Sequence, residues 1–294
     1  MAGRVDLHIH SNFSSDGNVD VKEIVRLAKK AKLRAVSITD HDTLAAYPEA
    51  IELGKETGVE VIPGIELTTG FKGREFHLLC PFLDWKSEKM SVLVAEVSRR
   101  RFAEARQRTA RLRELGMDLN WEDVEGEAGR FPPVGVTIAL AFLKKARRLG
   151  NPVWEKYYDQ SRDGFSAIRF YGDYFKRGKP AYVPRDLLPL GSALAVVKAA
   201  KAVPVLAHPG ADFVRAAPED LGELRERGLE GLEVYSTYHD SAQQEYYLGL
   251  AGKFDLVATA GSDFHGAVKP HIPFGSLPFG DYSMVESLRR RRPE

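Results

Sequence analysis

Short apolar runs alternate along this chain with longer segments in which apolar side chains recur every three or four positions. The two rhythms predict strands followed by amphipathic helices. Val5 to Ile9 reads as a strand; Ile24, Leu27, Ala28 and Ala31 then recur at helical spacing, with Lys22, Glu23, Arg26 and Lys30 on the other face. The unit repeats, with a strand at Ala35-Val36-Ser37-Ile38 and a helix from Tyr47 closed by Gly58. Further strands are predicted at Glu60-Val61-Ile62, running through Pro63-Gly64 to Ile65-Glu66-Leu67, and at Phe76-His77-Leu78-Leu79 after a turn at Gly70 to Gly73. After about Val92 the rhythm lapses. A charged helix over Ser98 to Leu115 carries a narrow stripe of Phe102, Ala105, Thr109 and Leu112, followed by the break Phe131-Pro132-Pro133. A helical stretch from Thr137 to Arg148 and an aromatic-rich run around Tyr157, Phe165, Phe170, Tyr171 and Tyr174 come next. Alternation resumes with helices over Ser192 to Lys201, Leu221 to Arg227 and Ser241 to Lys253, and strands at Val203 to Leu206, Leu232 to Val234 and Asp255 to Thr259.

Strands alternating with helices argue an α/β fold with a parallel sheet, and about seven such units argue closure into a barrel. The interruption divides the chain into a barrel over 1–92 and 185–294 and an inserted, mainly helical cap or lid over 93–184. Lys+Arg 42 against Asp+Glu 41 leaves a formal net charge of +1, so the total charge calls for neither nucleic acid nor an anionic membrane. Cys80 is the only cysteine, which excludes an internal disulfide. Met1-Ala2-Gly3-Arg4 leads into the first strand without an apolar signal segment, and no stretch approaches the roughly 18 apolar residues of a membrane span. A cytoplasmic protein without a membrane partner is expected. The basic run Arg289 to Arg292 carries no assigned function.

The candidate chemistry lies where strands end. In a strand, alternate side chains share a face, so His8 and His10 can reach one cation. His8, His10, Asp16, His41, Glu66, His77, His208, Asp263 and His265 all fall at or just beyond strand ends, and the active sites of such barrels lie at the carboxyl ends of their strands. Six imidazoles and three carboxylates exceed the capacity of one cation, which implies two or three divalent ions sharing ligands. Mixed nitrogen and oxygen ligation suits manganese, zinc or iron and excludes an all-oxygen calcium or magnesium site. Closely spaced metals make bound water a hydroxide near neutral pH and clamp the oxygens of an in-line phosphoryl displacement. Phosphate-ester hydrolysis is the leading chemistry.

With His8-Ile9-His10, Thr39-Asp40-His41-Asp42, Gly64-Ile65-Glu66, His77, Ala207-His208-Pro209 and Ser262-Asp263-Phe264-His265 in place, the chain resembles the PHP family, the polymerase and histidinol phosphatase superfamily. It is most similar to the capped trinuclear phosphoesterases, which include nucleotide phosphatases and a 5′ to 3′ exoribonuclease. The resemblance implies a distorted (β/α)7 barrel and a three-metal site. It implies one metal held by His8, His10, Glu66 and Asp263, a second by Glu66, His77 and His208, and a third by Asp16, His41 and His265. Glu66 would bridge, a metal-bound hydroxide would attack, and Asp263, with Glu66 and His208, would make up the catalytic set. Asp263 would orient or deprotonate the attacking water, and Asp40 would orient its neighbour His41.

The expected function is hydrolysis of phosphate monoesters of nucleotides such as AMP, or of short oligonucleotide ends; the oligomeric state is left open. Arg177, Lys179 and Tyr182 are candidate substrate-phosphate contacts, and the cap aromatics favour a flat base as the bound group. Where relatives carry an Arg-x-His before an apolar helix, this chain reads Val134-Gly135-Val136-Thr137. The alternatives are a histidinol-phosphate phosphatase and a noncatalytic metal-binding PHP module.

Overall fold

Asp6, His8 and His10 lie on one face of the first strand and Val5, Leu7 and Ile9 on the other, and all six are buried. A strand buried on both faces needs cover on both sides, and a barrel ringed by helices provides it. The computed structural model describes residues 3–158, 165–277 and 279–293. The elements, in order, are β1 (Arg4–Ile9), α1 (Val21–Lys30), β2 (Leu33–Ile38), α2 (Tyr47–Thr57), β3 (Glu60–Val61), β4 (Glu66–Phe71), β5 (Arg74–Leu79) and α3 (Glu88–Glu114). There follow α4 (Trp121–Ala128), α5 (Gly135–Arg148), α6 (Ala167–Tyr174), β6 (Leu188–Pro189), α7 (Leu190–Ala199) and β7 (Val205–Leu206). The chain ends with α8 (Pro218–Glu226), β8 (Gly231–Ser236), α9 (Ser241–Lys253), β9 (Val257–Gly261) and α10 (Tyr282–Arg290).

Two compact units emerge, Met1–Ala95 with Leu187–Glu294, and Glu96–Asp186. In the first, β1, β2 and β3 pair in that order and the remaining strands run β6-β4-β5-β7-β8-β9. Parallel bridges from Ile9 to Phe264 and from His41 to Glu66 join the two sheets. The strands β3 and β4 both lie beside β2, separated by the break at Pro63-Gly64, so the ring has the distorted (β/α)7 form. One strand departs from an all-parallel sheet. The two-residue turn at Lys72-Gly73, with both residues at positive φ, folds β5 back antiparallel to β4, and β5 also pairs antiparallel with β7. A crossover helix does not fit in so short a connection, so this direction follows from the turn itself.

In the second unit Tyr157 and Phe170 are fully buried, and Phe165, Tyr171 and Tyr174 pack against the same core with Ile138, Phe142 and Leu143. The aromatic run therefore makes this small unit's own core, and the inference that those rings await a flat base falls. Among the described residues no helix is long and apolar enough to cross a membrane.

Tyr47, at the start of α2, ties two site-bearing segments together. Its buried hydroxyl donates to the Ile38 carbonyl at the end of β2 and accepts from Gly64 N at 2.6 Å, just before β4. Gly64 is required there because a Cβ would come within 2.5 Å of Ser37 Oγ. Removing the hydroxyl strands a buried N–H and a buried C=O. Tyr47→Phe is expected to cost about 1–3 kcal/mol of stability, read from urea unfolding of the barrel. A loss below about 0.5 kcal/mol would show that this hydroxyl does not hold the segments.

Candidate metal centre

The nine sequence-predicted donors are brought together, most of them from the carboxyl ends of barrel strands, with Glu66 at the start of its strand and His77 within the antiparallel β5 as the exceptions. His8 and His10 end β1, His41 follows β2, Glu66 opens β4, His77 lies on β5, His208 follows β7, and Asp263 and His265 follow β9. Asp16 comes from the loop after β1. Main-chain bonds lock these segments in register: Asp263 N donates to His8 O at 2.8 Å, Asp42 N to Glu66 O at 3.0 Å, and Ala207 N to His77 O at 3.0 Å. His208 (φ 26°) and Asp263 (φ 56°) adopt the left-handed backbone that non-glycine residues avoid, which turns both side chains back from the strand direction.

Three groups of donor atoms close enough to hold an ion form: His8, His10, Glu66 and Asp263; His10, Asp16, His41 and His265; and His41, Glu66 and His77. Glu66 connects them. Its Oε2 lies 3.2 Å from His8 Nε2, 3.2 Å from His10 Nε2 and 3.3 Å from His41 Nδ1, while Oε1 lies 3.0 Å from His77 Nδ1 and 3.2 Å from His208 Nε2. Asp16 Oδ2 faces His41 Nε2 at 3.4 Å and His265 Nε2 at 3.2 Å. The donor set fits divalent cations on a physical ground. Glu66 Oε2, His41 Nδ1 and His77 Nδ1 are buried without an aligned hydrogen-bond partner despite these short distances. Buried polar atoms left unpaired are costly, and convergence on a shared ion removes that cost.

Several positioning groups escaped the sequence reading. Glu233 lies in the middle of β8, where its Oε1 meets His8 Nδ1 at 2.9 Å and its Oε2 accepts from His208 N at 2.7 Å. This one carboxylate orients donors from two other strands and leaves His8 Nε2 to face the centre. A Cβ at Gly261 would stand 2.1 Å from Glu233 Oε1 and 2.3 Å from His8 Cβ, so the β9 backbone must be glycine there. Asp6 accepts from Ser262 N and His8 N, and Glu75 meets His77 Nε2 at 3.1 Å. Asp263 divides its oxygens: Oδ1 faces His8 Nε2 and His10 Nε2 at 3.2 and 3.0 Å, while Oδ2 accepts from Tyr238 Oη and Lys269 Nζ, both at 2.6 Å. The signal available for Glu233 and Asp6 was a carboxylate flanked by apolar residues in a strand.

Asp40 accepts from Ser11 N and Ser11 Oγ, both at 2.6 Å, so both of its carboxylate oxygens are engaged in fixing the turn after β1. Arg177 and Lys179 are exposed and Tyr182 half-buried in the second unit, on a turn closed by Lys179 N to Lys176 O and Tyr182 N to Lys179 O. Gly135 begins α5 against Arg108 of α3, whose Nη1 would lie 2.5 Å from a Cβ. The Arg108 guanidinium is met by Glu104 at 2.8 Å.

The electrostatics follow from carboxylates and imidazoles packed together and buried. Burial opposes charge on His8, but Glu66, Glu233 and Asp263 outweigh it and push the imidazole well above its ordinary range. Against the same burial, Asp263 and Glu66 raise His10 to about 9, and Glu66 and Glu75 raise His77 to about 10. His41 moves the other way, to about 3, because burial and the neighbouring His10 and His77 exceed the pull of Glu66 and Asp16. Burial works to raise Glu66, Asp16 and Asp263, yet the surrounding imidazoles hold all three carboxyls well below the usual range. Cys80 is buried, and burial pushes its thiol up, which leaves it an inert core residue.

Comparison with known proteins supplies an independent finding. The model of the PHP domain family matches residues 6–125. Over 92% of the chain and 97% of the relative, the sequence is 31% identical to a phosphoribosyl 1,2-cyclic phosphate 1,2-diphosphodiesterase of Eggerthella lenta. It is 27% identical to a 5′-3′ exoribonuclease of Haemophilus influenzae over 98% of the chain and 97% of the relative. Among solved structures, a protein of Bifidobacterium adolescentis classed as a metal-dependent phosphoesterase superposes with a TM-score of 0.81 at 27% identity, covering 100% of this chain and 98% of that one.

Because neighbouring carboxylates push His8, His10 and His77 up, these donors favour protons in the metal-free protein, and a cation must displace whatever protons they hold. Binding of Mn²⁺ at pH 7.5 is therefore expected to release protons, and apparent affinity to rise with pH. Calorimetry in two buffers of different ionisation enthalpy measures the release directly; identical heats in both would contradict this account.

Proposed function

The chain belongs to the PHP domain family and is a metal-dependent phosphoric ester hydrolase, and on that premise we propose that its substrates are phosphate monoesters of nucleotides, AMP-like, or short oligonucleotide ends. The relatives' names, a phosphoribosyl cyclic phosphate diesterase and an exoribonuclease, share a phosphorylated ribose, which supports that class of ester. The observation that carries the reading is Glu66, whose two oxygens face two separate sets of imidazole donors from the strands around it.

In this proposal His8, His10, Glu66 and Asp263 hold one divalent ion and Asp16, His41 and His265 another. Glu66, His77 and His208 hold a further one; His208 is included for its 3.2 Å approach to Glu66 Oε1, although the close-set donors around Glu66 and His77 are completed by His41. Manganese, zinc or iron are the candidates. Bound there, such ions supply Lewis-acid charge for the phosphoryl oxygens and lower the pKa of water. Glu66 would contribute a carboxylate oxygen, and its negative charge, to two of these sites. Glu233 keeps His8 and His208 in their orientations, a task that a flexible acid on a loop performs poorly. The Oδ2 of Asp263 already accepts from Tyr238 and Lys269, so orientation through Oδ1, rather than removal of a proton, is the role its geometry supports. Arg177, Lys179 and Tyr182 belong to the same proposal as contacts to substrate phosphate.

Chelation is expected to abolish phosphate release and Mn²⁺ to restore it, and Glu66→Gln is expected to lower kcat by several orders of magnitude, since an amide brings no charge to either ion. Full activity in metal-free protein, or a loss under about tenfold in Glu66→Gln, would contradict the mechanism.

Substrate preference follows from α5. Where relatives carry an Arg-x-His, this chain has Gly135, Val136 and Thr137, so a strong guanidinium clamp for a second phosphate would be missing here, although Arg177 or Lys179 could compensate. Such a clamp is worth about 1.5–3 kcal/mol, or roughly tenfold to a hundredfold in preference. Nucleoside monophosphates are accordingly expected to be preferred over nucleoside 3′,5′-bisphosphates. The check is kcat/KM for AMP against adenosine 3′,5′-bisphosphate at fixed Mn²⁺, and a clear preference for the bisphosphate refutes it.

A further inference from the structure

The donor set is buried, yet one large apolar ring beside it is not. Phe213 is 55% exposed and lies on the loop after β7. Its ring centroid is 5.1 Å from that of His208, 6.0 Å from His77 and 5.6 Å from Tyr238, with the rings edge-on to Tyr238 at 88°. Two of these neighbours are candidate ligands on the Oε1 side of Glu66, and the third donates to Asp263.

The exposure is built into the backbone. Ala211 N donates to His208 O, Val214 N and Arg215 N to Ala211 O, and Ala216 N to Pro209 O, at 2.8 to 3.0 Å. Ala211 and Val214 on either side are buried, and Arg74 Nη1 donates to Arg215 O at 3.0 Å. This turn is pinned at both ends and from outside, so Phe213 is held at the rim by its own loop. A ring so placed offers an apolar surface to whatever is attached to a phosphate bound at the donor set.

We propose that Phe213 is a specificity-determining residue, a stacking surface for the nucleobase of a nucleoside 5′-monophosphate, whether free or at the end of an oligonucleotide. The inference rests on the phosphomonoester reading above, and it assigns base recognition to the barrel in place of the aromatic residues of the inserted unit, which are packed in its own core. Bases stack on aromatic rings whatever their sequence, which suits a site selecting nucleotides as a class. A ring that merely shielded His77 and His208 from water would affect every ester alike.

The deciding pair of ligands is AMP and ribose 5-phosphate, which carry the same phosphoryl attachment and differ in the base. In Mn²⁺-loaded protein, Phe213→Leu is expected to lower the AMP preference, as the ratio of kcat/KM values and as the ratio of Kd values from calorimetry, by roughly tenfold to a hundredfold. The loss falls on KM more than on kcat, and Phe213→Tyr retains the preference. For the 5′-phosphorylated dinucleotide pApA, the same loss assigns the platform to the terminal base of an RNA end as well. Unchanged Kd and kcat/KM ratios in Phe213→Leu overturn the proposal, as does an equal loss for both ligands or an absence of AMP binding. If the wild-type protein hydrolyses neither ester while the Kd ratio still collapses in Phe213→Leu, the stacking surface stands and the catalytic reading fails.

Discussion

Glu66 is a fully buried carboxylate whose two oxygens lie 3.0 to 3.3 Å from five imidazole nitrogens, and the barrel mouth is arranged to sustain that concentration of charge. So far from bulk solvent, each buried donor is best oriented by a neighbour, since a misdirected lone pair or proton in a low dielectric is expensive. Glu233 orients His8 and the His208 backbone, Glu75 orients His77, and Tyr238 with Lys269 orients Asp263. The unusual backbone at His208 and Asp263 and the obligatory glycine at position 261 belong to the same requirement. Strain at those points is tolerated because main-chain bonds between ligand-bearing segments over-determine their positions.

The donors themselves were legible in the sequence because each interrupts or ends an apolar run, and a polar side chain recurring at that one place in successive units has few structural explanations. Their supporting residues were not. Glu233 and Asp6 sit inside strands between apolar neighbours, which marks them as unusual, but the partner that explains Glu233 is His8, 225 residues away, so no local pattern reveals its role. Barrel closure was legible from the number of strand and helix units, whereas the direction of β5 depended on giving Lys72-Gly73 the weight of a tight hairpin turn. The lapse in rhythm after Val92 was visible, but the purpose of the aromatic run was misread: a small unit with few residues must fill its own core with its largest rings.

Both units fill their cores with large rings, Tyr47 and Phe76 in the barrel among them, but Phe213 is used differently. In the inserted unit Tyr157 and Phe170 are spent on cohesion, and Arg108 is buried among Tyr171 and Phe175 with its charge met by Glu104. In the barrel, Phe213 is left at the rim by a turn that is itself well anchored. Composition alone cannot separate these cases, because both place rings near basic and acidic residues; burial does.

The order in which the donors occur along the chain has a consequence for biosynthesis. His8 and His10 are made long before Asp263 and His265, and Asp263 N reaches back to the His8 carbonyl. A nascent chain interrupted before β9 lacks part of every donor group that contains His8 or His10. Completion of those two groups is thereby tied to the synthesis of β9, whereas the group of His41, Glu66 and His77 lies wholly in the earlier part of the chain, so that occupancy at His8 and His10 in particular would report a closed ring.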